Sequence, residues 1–325
     1  MSDRDWLVPS TLLTCLSGGV ALALIPSYRG IMPAVGVLPY WMLAAAMIGA
    51  IYGFFVMVAA GVDSPFQRIR EAVIDDRRRF LVIAFALCIA GLNLTTFMWT
   101  KPLLNYLVPF WADPLLADMD YWLFLGHDPW TFLTWLNSSA FALFYHRGWF
   151  VMMILTLIIV LAKPASPQKS ALLVTYFLLW SVAGPVIHSL LPAAGPIFYA
   201  EMGYGDRFAG LQNVSETSNV AEYLWNVFSG QGFAPGAGIS AMPSLHIATT
   251  AWMLMALRIF RHRMMVPMAL AGFLIFLLSI ALGWHYAVDG IVGGAVALLF
   301  YKGLLAIYAR QPRAPAKPAV ALSQS

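Results

Sequence analysis

Two histidines and one aspartate have the residue types and the spacing for phosphoryl transfer through a phosphohistidine. His246 and His285 lie far apart in the chain, each at the edge of a long apolar run, and Asp289 follows His285 by one helical turn. Side chains four residues apart share one face of a helix. The carboxylate can then accept a hydrogen bond from one ring nitrogen of His285, which fixes the tautomer and leaves the other nitrogen as a nucleophile.

The two histidines would have different roles in such a reaction. We expect His285 to attack a phosphorus atom, while His246 protonates the departing oxygen and later takes a proton from the acceptor. Pro243 suits the first position of a helix, and the free N–H groups that follow it could bind phosphate oxygens. Ser244 could add a hydroxyl donor to the same site.

Two other interpretations of these residues stay open. The three side chains could bridge helices or hold a metal, although three ligands without a nearby cysteine make a weak zinc site. We expect no metal and no cofactor. A proton-coupled transporter is a second alternative, and it would be built from helices interrupted near the middle of the bilayer. Ionisable residues at membrane depth are costly, which favours a functional role for all three.

The composition predicts a membrane protein. The chain has 325 residues, of which 61% are hydrophobic and 10% are charged, whereas soluble proteins carry about 25% charged residues. A spanning helix needs about 20 mostly apolar residues, and eight runs approach that length. The predicted spans are residues 7–26, 37–61, 80–100, 145–162, 171–192, 243–260, 264–283 and 285–308.

These runs predict an all-α fold, a polytopic transmembrane helical bundle with about eight spans. We expect residues 1–309 to form a single transmembrane catalytic domain. Two extra N-terminal spans would occupy residues 7–61 and the core about 80–309. Residues 310–325, which are rich in proline, are expected to be a disordered cytoplasmic tail.

Two longer segments lie between the predicted spans. Residues 131–144 are too short and too mixed to cross a membrane, so we expect an amphipathic helix in the membrane plane. Residues 193–241 form a long connection that leads directly into His246. Because long loops in compact proteins are usually functional or disordered, we interpret this segment as a lid or acceptor pocket.

Basic residues predict the orientation in the membrane. Of nineteen lysines and arginines, only Arg29, Lys101, Arg147 and Arg207 fall in the connections on one side, so the opposite side is cytoplasmic. Both termini are then cytoplasmic and the histidines face outward. We expect a bacterial inner membrane with a periplasmic site, although a Golgi enzyme with a luminal site would show the same bias. The net charge of +4 gives no support for nucleic-acid binding.

The residues around both histidines resemble a family signature. Pro243-Ser244-Leu245-His246 resembles the Pro-Ser-Gly-His element of the type-2 phosphatidic acid phosphatase superfamily, and His285-Tyr286-Ala287-Val288-Asp289 resembles its His-x-x-x-Asp element. The leucine in place of glycine and the context Trp284-His285-Tyr286 are closer to the inositol phosphorylceramide synthase (inositolphosphotransferase) branch. Residues 120–129 and 192–199 are also similar to that branch. The specific match covers about residues 238–294.

The resemblance implies a six-helix core with an outward His-His-Asp triad, no metal, and a lipid phosphoester as donor. It makes His285 the nucleophile, Asp289 its orienting group and His246 the acid and base. The family usually also has a Lys-x6-Arg-Pro element and an arginine six residues before the nucleophilic histidine. The first is absent and the second is Ser279.

The candidates for binding the phosphate are therefore the outward basic residues. We rank Arg207 first and Arg147 second, with Lys101 and the Ser244 hydroxyl as further substrate-binding candidates. Three other histidines lack a paired motif and are expected to be structural, namely His127, His146 and His188.

The sequence thus predicts a membrane lipid phosphotransferase. It would move a phosphoryl or phospho-alcohol group from a membrane lipid, in sphingolipid or related lipid metabolism, to a small alcohol, a lipid hydroxyl or water. The nearest alternative is a lipid phosphate phosphatase that hydrolyses a phosphatidate-type lipid or a polyprenyl diphosphate. The catalytic residues of these two activities are the same, so the triad does not separate them.

Overall fold

Long apolar runs become helices because a helix satisfies its own backbone hydrogen bonds, which hydrocarbon cannot do. A computed structural model describes residues 2–24, 35–211, 213–234 and 236–310. Arg29 and the expected C-terminal tail from residue 311 lie outside them. The described residues form no strand and contain eleven helices: α1 Arg4–Leu24, α2 Val37–Ala59, α3 Pro65–Asp75, α4 Arg77–Leu107, α5 Asp113–Leu123, α6 Ser139–Leu161, α7 Pro167–Leu190, α8 Ser215–Ser229, α9 Leu245–Ile259, α10 Met265–Ala281 and α11 Ala287–Ala309.

The prediction of an all-α membrane bundle is confirmed. Six helices are long and apolar enough to cross a membrane, namely α1, α2, α4, α6, α7 and α11. The two remaining predicted spans are shorter apolar helices, α9 and α10. A helix of 15 residues is about 22 Å long, less than the roughly 30 Å of hydrocarbon. The chain is a multi-pass membrane protein in which α9, the helix that carries His246, is short.

Helix α6 begins earlier than its apolar run, which makes one prediction wrong. Residues 131–144 do not form a separate amphipathic helix. Short 3₁₀ turns occupy Pro129–Phe132 and Thr134–Leu136, and α6 then begins at Ser139. The hydroxyl of Ser138 accepts a hydrogen bond from the backbone N–H of Phe141 and so caps the new helix. Residues 139–144 belong to the same helix as the apolar run that follows them.

The connection at residues 193–241 contains helix α8 and is not structureless. Two contacts bind the start of α8 to the start of α6. Ser139 donates from its hydroxyl to Glu216 at 2.7 Å, and the side chains of Asn137 and Asn213 are joined by a hydrogen bond of 2.9 Å. Helix α8 is therefore held over the end of the bundle where the two histidines lie.

Charged groups gather at the other end of the bundle. The ammonium of Lys169, at the start of α7, binds Asp3 at 2.9 Å and the carbonyl oxygen of Lys163 at 2.8 Å. Tyr308, at the end of α11, donates to the carbonyl oxygen of Asp5 at 2.8 Å. Helix α11 has 23 residues and is about 34 Å long. His285 precedes its first turn, so the basic end and the histidine end are separated by the length of α11.

Glycines let α11 approach α9 and α10 closely beside the histidines. A Cβ at Gly293 would lie 2.6 Å from the carbonyl oxygen of Ser244, and a Cβ at Gly290 would lie 2.8 Å from the ring of Phe276. The backbone N–H of Ser244 donates to the carbonyl oxygen of Asp289 at 3.2 Å. These contacts join the start of α9 to the first turn of α11.

Candidate active site

His285 lies in the turn before α11, and its hydrogen bonds define its tautomer. Its Nδ1 is 2.8 Å from the carbonyl oxygen of Ala241. Because a carbonyl oxygen only accepts, Nδ1 carries the hydrogen and Nε2 keeps its lone pair. The nearest oxygen of Asp289 is 3.5 Å from Nδ1, which is long for a hydrogen bond. The same oxygen accepts from the backbone N–H of Tyr286 at 2.9 Å.

This arrangement differs in one detail from the sequence-based expectation. The turn before α11, and not one face of the helix, brings Asp289 beside His285, and the carbonyl of Ala241 shares the role of orienting the ring. Asp289 is fully buried, and its Oδ1 has no hydrogen-bond partner among the described residues. A buried negative charge next to Nδ1 favours the positively charged imidazole that forms when Nε2 bonds to phosphorus.

His246 lies in the first turn of α9 and is held between two aromatic rings of α6. Its ring stacks on Tyr145 with centroids 4.6 Å apart and planes 12° apart. The ring centroid of Trp149 lies 4.0 Å from that of His246, and the indole N–H of Trp149 donates to the backbone carbonyl oxygen of His246 at 3.2 Å. Aromatic faces stabilise a cation beside them, so this position suits an imidazole that gains and loses a proton.

The fold brings both predicted catalytic histidines to one cavity. Their ring centroids are 6.4 Å apart, and both rings line a cavity of about 380 Å³. The separation leaves room for one phosphate group between the rings. The rest of the wall is mainly aromatic and apolar, and it includes Phe97, Trp180, Phe198, Tyr223, Leu224 and Trp284.

The predicted substrate-binding residues do not all reach this cavity. Lys101 of α4 lines it, and among the described residues no carboxylate pairs with its ammonium. Arg207 instead binds Asp118 and Asp128, each at 2.7 Å. The Asp128 hydrogen bond raises the pKa of Arg207 further above its ordinary value. Of the residues that the structure describes along the cavity wall, none is Arg147, Arg207 or Ser244.

Ser244 has a structural role that explains its position. It precedes α9, it is fully buried, and its hydroxyl accepts a hydrogen bond from the backbone N–H of Ile247 at 3.4 Å. A serine in this place satisfies one of the free N–H groups of the first helical turn. Ser244 therefore fixes the start of the helix that carries His246.

Asp120, which the sequence analysis did not single out as a functional residue, binds the start of the helix that carries Asp289. Its two carboxylate oxygens accept from the backbone N–H groups of Ala287 at 2.6 Å and Val288 at 2.9 Å. A carboxylate at a helix N-terminus is favourable. Burial raises the pKa of Asp120 to about 6; the two N–H donors oppose this shift, and the nearby charge of Asp289 adds to it.

Asp113, one heptad before Asp120 on α5, binds a second loop of the site. Its oxygens accept from the backbone N–H groups of Ala194 at 2.8 Å and Gly195 at 2.7 Å, and from the hydroxyl of Tyr286 at 3.0 Å. Burial raises the pKa of Asp113 above its ordinary value, against the effect of these donors. The spacing of seven residues, which puts both aspartates on one face of a helix, was the signal in the sequence.

His146 was predicted to be structural, yet its ring lines the cavity. It lies 6.2 Å from His246 and 5.7 Å from Trp284, measured between ring centroids. His188 is buried, with its Nε2 3.5 Å from the side-chain nitrogen of Asn105. His127 is exposed and contacts Phe132. The cavity thus contains three imidazoles, of which the sequence motifs identified two.

Comparison with known proteins gives one match. The family model for the PAP2 superfamily matches residues 114–302, which is more than half of the chain. No curated protein and no solved structure matches. The matched range includes the three predicted catalytic residues and Asp120, and it begins after Lys101.

Proposed function

Because the chain belongs to the PAP2 superfamily, whose members carry out phosphatase or phosphotransferase chemistry, we propose that it is a membrane lipid phosphotransferase. It would transfer a phosphoryl or phospho-alcohol group from a lipid donor to a hydroxyl acceptor. The observation that carries this proposal is the pairing of His285 and His246 across one cavity, with the lone pair of His285 Nε2 left free by the hydrogen bond at Nδ1. The ammonium of Lys101, which pairs with no carboxylate of the described residues, would bind the phosphate oxygens.

In the first step, Nε2 of His285 forms a bond to the donor's phosphorus. The bond between phosphorus and the lipid oxygen breaks, and the departing oxygen takes a proton from the protonated ring of His246. The positive charge that the phosphorylated imidazole acquires lies beside Asp289. Lys101 offsets the negative charge on the phosphate oxygens.

In the second step, a hydroxyl oxygen of the acceptor forms a bond to phosphorus, and the bond from phosphorus to Nε2 breaks. The proton of that hydroxyl goes to His246, which returns to its starting state. The histidine pair is therefore regenerated after each transfer, and no further reactant is consumed.

The aromatic wall favours transfer over hydrolysis. Tyr223 and Leu224 of α8 and Trp284 line the cavity, and aromatic and apolar walls limit the access of water to a reactive intermediate. We assign the acceptor to the alcohols or lipid hydroxyls of the inositolphosphotransferase-like branch on this basis and on the residues Leu245 and Trp284. A phosphatase that uses water remains the second candidate, because it needs the same catalytic groups.

The outward orientation of the site is part of the proposal. Lys163 and Lys169 lie at the end of the bundle opposite His285, and clusters of basic residues favour the cytoplasmic side. This arrangement supports cytoplasmic termini and a periplasmic site in a bacterial inner membrane.

The proposed function can be tested with purified full-length protein in nanodiscs. The donors are fluorescent phosphatidate, phosphatidylinositol and farnesyl diphosphate, each with water alone or with added glycerol, inositol or ceramide. Mass spectrometry should find a new phosphate ester of an added hydroxyl compound, which His285→Ala abolishes and His127→Ala does not. Release of inorganic phosphate alone would instead establish the phosphatase. Lipid or solute movement without covalent change, still lost in His285→Ala, would establish the transporter.

A further inference from the structure

We propose that His146 binds a second hydroxyl group of the acceptor, next to the hydroxyl that His246 deprotonates. The acceptor class would then be alcohols with at least two hydroxyl groups. This inference rests on the proposed phosphotransferase function, because it concerns the second half of that reaction.

The position of His146 places it beside the reacting groups. Its ring is perpendicular to the ring of His246, at 77°, and perpendicular to Trp284, the residue before His285. All three imidazoles line the same cavity. A molecule that reaches His246 from this cavity therefore also contacts His146.

The hydrogen-bonding capacity of His146 is not used within the protein. Its Nε2 is buried and has no hydrogen-bond partner among the described residues. A buried polar atom without a partner costs about 1–3 kcal/mol, and such an atom in a native protein calls for an explanation. No carboxylate of the described chain forms an ion pair with this ring. In this conformation Nε2 is closed to a water-sized molecule, while another edge of the ring lines the cavity. A rotation of the ring about its Cβ–Cγ bond, a torsion with broad minima, brings a nitrogen to the cavity, where a polar group of a bound molecule can be its partner.

A π-helical turn of the backbone orients the ring of His146. Residues Phe144–Gly148 form a π-helical turn inside α6, a feature that is rare and frequent at functional sites. The turn directs Tyr145 and His146, which are neighbours in the chain, toward the same imidazole of His246. Gly148 allows it, because a Cβ there would lie 2.6 Å from the ring of Phe144.

The chemistry of transfer requires that the partner of His146 be a second group. The reacting hydroxyl has one proton, which it gives to His246, so the hydrogen that a nitrogen lone pair of His146 accepts has to come from a second hydroxyl group. An alcohol with a neighbouring hydroxyl can bind His146 at the same time, whereas a monohydric alcohol or water cannot. The contact would raise the local concentration of diols and polyols at the phosphohistidine.

A pair of small alcohols tests this inference. Full-length protein in nanodiscs receives dioctanoyl phosphatidate or dioctanoyl phosphatidylinositol, whichever it cleaves faster, together with propan-1-ol or propane-1,2-diol at equal concentrations. We expect about tenfold more transfer to the diol, the factor for one hydrogen bond of about 1.4 kcal/mol. His146→Leu should remove this preference. His146→Asn, which keeps a polar amide, should retain part of it, and His127→Ala should retain all of it.

Labelling of His285 by ³²P from the donor separates the possible failures. If the wild-type protein neither takes up label nor phosphorylates an alcohol, the proposed function falls and this inference with it. If label forms but the wild-type protein does not prefer the diol, or if His146→Leu keeps the preference, the inference alone is wrong. Equal melting temperatures of the wild-type protein and His146→Leu show that the altered preference does not come from misfolding.

Discussion

Asp120 accepts a hydrogen bond of 2.6 Å from the backbone N–H of Ala287, the first residue of the helix that carries Asp289. Asp120 is 3% exposed, so the start of the helix that carries Asp289 is held by a buried acid from α5. This contact makes the stability of the site depend on pH.

The sign of that dependence follows from the pKa of Asp120. Burial raises its pKa from 3.8 to about 6, so between these values the folded protein binds more protons than the unfolded chain. The contribution of Asp120 to the free energy of unfolding is fully present below about pH 4 and is lost as the pH rises through 6. Asp120→Asn, which does not titrate, should flatten the change in melting temperature between pH 4 and 7. If the melting temperature of Asp120→Asn changed with pH as steeply as that of the wild-type protein, this account would be contradicted. Burial also raises the pKa of Asp113, so the melting temperature of Asp120→Asn should keep part of its dependence on pH.

Gly195 should not tolerate a side chain, because it packs against the turn that carries His285. Its φ is +101°, and a Cβ would lie 2.6 Å from the carbonyl oxygen of Trp284. Gly195→Ala should lower kcat at least tenfold and lower the melting temperature. Gly203 is the matched control, since its φ is +82° but no atom lies within 4 Å of its Cβ position. Gly203→Ala should cost about 1 kcal/mol of stability from its backbone conformation alone and keep most of the activity. Equal losses in both variants would show that the contact with Trp284 has no special role.

Trp149 should be needed to hold His246 in its reactive orientation. The centroids of the indole and the imidazole are 4.0 Å apart, and the indole N–H donates to the backbone carbonyl oxygen of His246. Trp149→Leu should reduce kcat by about tenfold or more, while Trp149→Phe, which keeps an aromatic face, should lose less. A steady-state assay with saturating donor distinguishes these variants. Wild-type kcat in Trp149→Leu would mean that the ring does not position His246.

Lys101 should bind the phosphate of the donor. Lys101→Met removes the charge and keeps the length of the side chain, so the KM for the donor should rise about tenfold or more, because a hydrogen bond to a charged group contributes about 1.5–3 kcal/mol. Lys101→Arg should be less affected. Lys163→Met, at the opposite end of the bundle, is the control, with its ammonium 5.6 Å from the ring of Phe260. A donor KM that is the same for Lys101→Met and Lys163→Met would remove Lys101 from the site.

The sequence predicted the parts of the molecule that depend on local pattern. Apolar length located the eight apolar helices but not α3, α5 and α8. The two motifs identified His246, His285 and Asp289, which the fold brings to one place. The polar contacts between distant segments were not predictable in this way. The sequence predicts that Arg207 is a basic residue on the outward side. Only the fold shows that its guanidinium forms ion pairs with Asp118 and Asp128.

The remaining errors have similar physical causes. The first residues of α6, 139–144, were separated from the rest of the helix because the polar residues His146 and Arg147 interrupt its apolar run. His146 was assigned a structural role because it has no partner in the sequence, whereas the π-helical turn that directs it into the cavity depends on packing. Asp120 accepts hydrogen bonds from backbone N–H groups of α11. Every residue except proline has such a group, so the sequence does not show which of them Asp120 binds.

The most direct test of the central claim is detection of a phosphohistidine at His285. The wild-type protein is mixed with donor lipid labelled with ³²P, quenched at alkaline pH within one turnover, digested and mapped by mass spectrometry. We predict acid-labile label on the peptide that contains His285, its absence in His285→Asn, and its presence in His127→Ala. Turnover of the donor without label at His285, or label that persists in His285→Asn, would contradict the account.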